Sequence, residues 1–136
     1  NFNNYAIMSM EDGNIYINQD SFKNFDLEFC KILHHEIIHA ILYNINKNID
    51  LWLSEGLATL LARNIVKDKV NKTNIIPLNK LKKYFKFNID YYYSAMLYIK
   101  YLYVTKKEIL KELLLSNIDV KITKKELVSF LLTNNI

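Results

Sequence analysis

Apolar and polar positions alternate with a period of two near the start of the chain and recur with a period close to 3.6 over most of the rest. YAIMSM (residues 5–10) and NIYINQ (residues 14–19) lie on either side of Glu11-Asp12-Gly13, and Asp-Gly between two such runs predicts a hairpin of two short strands. From Asp26, a residue type suited to an N-cap, LEFCKILHHEIIHAILYNI carries apolar residues around much of its circumference. A long, largely buried helix is therefore expected over residues 27–45. After the polar NKNID, Ser54 is placed to cap a second helix, SEGLATLLARNIVKD, in which Leu57, Leu60, Leu61 and Ile65 share one face. Pro77 separates that segment from a short helix, LNKLKKYF, and YYYSAMLYIKYLYV, KKEILKELLLSN and TKKELVSFLLTN read as three more.

Composition supports this outline. Two glycines and one proline in 136 residues leave little room for the tight turns of an all-β fold, and 51% apolar content suffices for one core. The expected class is α+β and mostly helical, with a small N-terminal hairpin or edge strand, in one domain spanning residues 1–136. The net charge of +4 comes from scattered lysines, with Arg63 the sole arginine, a pattern that argues against nucleic acid as partner. Cys30 is alone, which rules out an internal disulfide and a cysteine-rich metal site. No apolar run approaches the roughly 20 residues that span a bilayer, and no leader segment is evident. The chain opens at Asn1 rather than Met, so the compartment stays open.

The chemistry concentrates in HHEIIHA, residues 34–40, which holds all three histidines. His35 and His39 stand four apart, so both imidazoles project from one face of the helix, a turn apart, as two ligands of a tetrahedral metal require. Glu36 projects beside them and can reach a water at such a metal without taking a coordination position. This is the HExxH arrangement of zinc hydrolases. The plain alternative is a polar interruption of a buried helix, but burying two imidazoles and a carboxylate is costly unless something pairs with them.

A third protein ligand cannot be a histidine. His34 points roughly 100° from His35 around the helix, and the histidine of an extended HExxHxxGxxH pattern would fall on Ile45, with Leu42 at its glycine. A carboxylate must serve, and Glu55, in LWLSEGLATLL (residues 51–61), is set among apolar neighbours on a helix that a short connection can fold back onto the first. A buried salt bridge is the other way to account for it.

HEIIHA followed by LWLSEGLA resembles the gluzincins, zinc peptidases with HExxH and a distal glutamate ligand, and in particular their aminopeptidase N-like branch. The likeness runs from about Phe29 to Leu61 and, more weakly, into the tyrosine-rich helix. It implies a zincin-like domain with Zn²⁺ as cofactor, held by His35, His39 and Glu55, and Glu36 as general base. Gluzincins also place a tyrosine at the start of a later helix to steady the oxyanion. Aligning YYYSAMLYIKYL with that helix puts Tyr92 at the position, with Tyr91 and Tyr93 one step of register away. The stretch from Ala40 to Ser54 is shorter than in aminopeptidase N-like enzymes, which points to a compact peptidase-MA-like relative. Thr59 stands where thermolysin has a supporting aspartate.

Two substrate features follow from the same resemblance. Zincins bind the substrate backbone along an edge strand above the metal, for which Asn14, Ile15, Tyr16 and Ile17 are the candidates. MSMED invites comparison with the amine-binding GxMEN loop, which would give Glu11 a role, although Asp12-Gly13 is fully explained as a turn. The expected function is that of a zinc peptidase acting on peptide or protein substrates, cutting internally. The alternative is an inert zincin-fold binding module of a larger protein, which would have no need of Glu36.

Overall fold

The computed structural model describes residues 6–9, 11–18, 27–62 and 74–136. Strands β1 (Ala6–Met8) and β2 (Ile15–Ile17) pair antiparallel, Met8 opposite Ile15. The turn between them closes on Gly13, whose φ of +73° suits a residue without a side chain, and on Asp12, whose Oδ1 accepts the Asn14 N–H at 2.9 Å. Six helices follow among the described residues: α1 (Leu27–Ile45), α2 (Leu51–Ala62), α3 (Leu78–Lys83), α4 (Ile89–Thr105), α5 (Lys107–Ser116) and α6 (Lys124–Thr133). The chain is thus mostly helical, as its periodicity predicts. No helix among the described residues is long and apolar enough to cross a membrane.

The expected helix over residues 27–45 is α1, with the same bounds, but it is not largely buried. Phe29, His35, Glu36 and Leu42 are its buried side chains among the described residues, and Ile37, Ile41 and Ile45 are exposed because one face of the helix meets no other described element. Its expected cap, Asp26, lies outside the described residues, as does the continuation of the second helix beyond Ala62. One expectation is corrected: Ser54 does not cap α2. The helix begins at Leu51, and the Asp50 carbonyl already accepts from Leu53 and Ser54 at 3.1 and 3.0 Å. Trp52 and Leu53 account for the earlier start, since each is 1% exposed and a helix beginning at Ser54 would leave them in a loop. A second adjustment concerns α4, which starts at Ile89 behind Asn88; the Asn88 side chain accepts the Tyr91 N–H at 3.2 Å.

Helix α2 is the centre of the molecule, buried without interruption from Trp52 to Thr59 and packed on α1 and α4. Its closest approach is at Gly56, where an added Cβ would fall 2.9 Å from the Ala95 carbonyl and from Ile99 Cγ1 on α4. Helices α5 and α6 close the core with Leu113 and Leu127, and α6 is secured by a reciprocal capping box between Thr123 and Glu126. Asn117 ends α5 in the left-handed region (φ 49°), and its amide donates to the Asn48 carbonyl and accepts from Asn46. That side chain pins the α1–α2 connection, and with it the mutual position of the two helices that carry the histidines and Glu55.

Candidate metal centre

His35 and His39 project from one face of α1, their rings meeting edge to face with centroids 4.7 Å apart. Across from them α2 delivers Glu55. One carboxylate oxygen, Oε2, lies 3.1 Å from His35 Nε2 and 3.3 Å from His39 Nε2. The three groups can each offer an atom to a common point, all within 4.8 Å of one another. A tetrahedral metal with ligands at roughly 2.0–2.1 Å needs donor atoms about 3.3 Å apart; both histidine contacts of Glu55 are near that spacing, so the three groups could bind a metal ion. His35 is 1% exposed and Glu55 7%. Burial alone would raise the Glu55 carboxyl, but hydrogen bonds and charge from His35 and His39 outweigh it and hold the pKa at about 2. The carboxylate is therefore charged and ready to bind at any ordinary pH.

The neighbour of Glu55 completes the support of His39. Ser54 Oγ lies 2.7 Å from His39 Nδ1, and a serine hydroxyl that accepts the Nδ1 proton leaves the Nε2 lone pair facing Glu55 and its partners. Sequence reasoning missed this function for Ser54. The available signal was its place one residue before Glu55, on the turn that faces α1. Thr59, one turn beyond Glu55, is buried with no hydrogen-bond partner for its hydroxyl. Leu42 belongs to the apolar core and Ile45 is exposed, so neither marks a further ligand position. His34 is exposed, outside the cluster.

Glu36 is buried beside the histidines without joining them. Its Oε2 accepts the Met8 N–H at 2.6 Å, and burial pushes its carboxyl up against the lowering pull of His39, His35 and that amide. The origin of the amide also fixes how the hairpin lies. Ser9 N–H bonds the Asn14 carbonyl, so in an antiparallel ladder Met8 N–H points away from β2. The edge of β1 away from β2 therefore faces Glu36, and β2 lies on the far side. Of the expected strand Asn14, Ile15, Tyr16 and Ile17, Ile15 to Ile17 form β2, on the side of β1 away from Glu36; Tyr16 and Ile17 are exposed, and the Tyr16 hydroxyl bonds Asp12 at 2.5 Å. Glu11 is exposed on the turn.

Among the three tyrosines opening α4, the structure brings Tyr92 to the cluster. Its ring centroid lies 6.4 Å from that of His35, and burial, reinforced by the charges of Glu55 and Glu36, pushes its hydroxyl up. Tyr92 thus remains a neutral donor. Tyr91 and Tyr93 turn instead into the apolar core, with Tyr91 edge-on to Phe85.

What the arrangement can do chemically follows from its parts: three clustered groups that could bind a metal ion, one buried carboxylate beside them and one neutral phenol. Comparison with protein-family models, with curated proteins and with solved structures finds no match.

Proposed function

We propose that this chain is a zincin-like domain of gluzincin type, a zinc-dependent peptidase that hydrolyses peptide bonds with water and cuts internally. The observation that carries this reading is the convergence of His35, His39 and Glu55 on one point with the buried, non-ligating Glu36 beside it. Zinc, held by those three, supplies Lewis acidity, which acidifies water and polarises a carbonyl.

The remaining steps belong to side chains. Glu36 takes a proton from the attacking water and passes it to the departing amine, a task to which a carboxyl raised by burial is matched. Met8 N–H holds that carboxylate in place. Tyr92 donates its hydroxyl to the oxygen that gains charge. The edge of β1 away from β2 runs past Glu36 and, the Met8 amide being given to Glu36, can pair with an extended backbone through its remaining amide and carbonyls, with no demand for a terminus. In an inert module Glu36 would serve only to tie β1 to α1 through the Met8 amide, a task that does not require a buried carboxylate.

The test is metal analysis coupled to cleavage. Purified chain should hold about one zinc, and stripping it with a chelator should abolish cleavage of a peptide library until zinc is returned. A chain that takes up no stoichiometric zinc, or that cleaves equally well when stripped, would refute the proposal.

Tyrosine substitutions test the oxyanion role separately. Tyr92→Phe should lower kcat by about 10²-fold, as for one oxyanion donor, while Tyr91→Phe and Tyr93→Phe stay near wild type. A silent Tyr92→Phe beside a large loss in either neighbour would move the role to that neighbour.

A further inference from the structure

We infer that Phe87 forms an aromatic wall beside the metal centre and selects peptides that carry a bulky apolar side chain close to the bond cut; this rests on the peptidase reading above. Phe87 directly precedes Asn88, the N-cap of α4, and its ring lies 6.4 Å from that of Tyr92, the fourth residue of the helix. A residue before the cap packed on the fourth helical residue is a hydrophobic staple, which fixes the angle at which the chain enters the helix. That role employs one face of the ring. It leaves unexplained why Phe87 keeps 60% of its surface exposed.

Phe87 also packs against a second ring. Phe85, half-buried, meets Phe87 edge-on at 5.9 Å and Tyr92 at 5.5 Å, so the three rings contact one another. An aromatic with two side-chain torsions loses little entropy when something packs on it. Tyr92 in turn stands 6.4 Å from His35. From His35 through Tyr92 to Phe87 is therefore two ring contacts, a distance that an extended peptide covers in at most about four residues at roughly 3.3 Å each. A backbone whose reacting carbonyl sits between His35 and Tyr92 thus places a side chain within about three residues of the cut against Phe87. Phe, Leu or Met there buries apolar surface on both partners, and Gly buries none.

The experiment uses zinc-loaded chain and a peptide library whose products are sequenced, followed by matched peptides with Phe or Gly at the selected position. Wild type should show an apolar preference at one fixed position within three residues of the cut. Its kcat/KM for the Phe peptide should exceed that for the Gly peptide by about tenfold or more, the range open to one apolar contact. In Phe87→Ser that ratio should fall about tenfold with zinc content unchanged, and Phe87→Leu, which keeps the staple, should recover most of it. Binding to the Glu36→Gln chain needs no turnover and should show the same difference in Kd between the two peptides. Cleavage without positional preference, preference for an acidic residue, or a ratio unaltered in Phe87→Ser overturns the inference and leaves the peptidase reading standing. Zinc-loaded wild type that cleaves nothing overturns both.

Discussion

Glu36→Gln is expected to keep its full complement of zinc while losing about 10³-fold or more in peptide hydrolysis, within the range of a general base. The substitution preserves shape, and its amide oxygen can still accept the Met8 N–H that holds the native carboxylate at 2.6 Å. Packing and metal content should therefore be untouched. Only the ability to take up a proton is removed, and no other carboxylate among the described residues stands at the cluster except Glu55, which is engaged by both histidines. Metal analysis beside a single peptide assay reads both properties on one sample. Activity near wild type would remove Glu36 from the mechanism, and loss of zinc would make it a ligand rather than a base.

Glu55→Ala should act on the opposite property. With the carboxylate gone, zinc affinity should fall by well over about 10²-fold, beyond the usual effect of a supporting residue. His34→Ala should not change it. Thermal unfolding separates this from a purely structural ion pair. A ligand that binds only the folded chain stabilises it by mass action, so zinc at about a thousand times its Kd should raise the wild-type Tm by on the order of 10 °C. The Glu55→Ala chain should show no such rise. It should also be less stable without metal, because His35 and His39 lose the carboxylate that both contact, at a cost on the order of 1–3 kcal/mol. A wild-type Tm indifferent to zinc, with Glu55→Ala merely destabilised, would reduce the cluster to a salt bridge.

How far the site can be read from sequence depends on the range of the interactions that define it. His35, Glu36 and His39 are legible because i, i+4 geometry belongs to the helix itself and holds in any packing. Glu55 is legible as a carboxylate in an apolar setting, but its meeting with α1 depends on the short α1–α2 connection and on Asn117, distant in sequence, which pins it. Three consecutive tyrosines differ by 100° steps around α4, and nothing local says which of them faces α1. The choice follows from Gly56, which sets how α2 and α4 meet. The strand beside the site was not legible. Side-chain alternation is the same whichever edge of the hairpin is free, and only the ladder, with Met8 N–H pointing away from β2, shows which strand faces Glu36. Ser54 was read as a cap because a serine before an apolar run usually is one. Burial of Trp52 and Leu53 overrode that local signal and freed the hydroxyl for His39.

The contact at Gly56 also sets the terms on which this chain can vary. With 2.9 Å between a hypothetical Cβ and the Ala95 carbonyl, α2 and α4 touch almost backbone to backbone, and even alanine would force them apart. Glu55 rides on one of these helices and Tyr92 on the other, each within one turn of that contact. A heritable change that widens the joint shifts both groups together, so neither can be adjusted alone by mutation at the joint. The hairpin is tied to α1 differently, through a backbone amide that almost any residue at position 8 can provide. Lineages of this chain are therefore free to rewrite β1 and β2 side by side with a nearly invariant α2–α4 pair, and variation should collect on the strand side of the cleft.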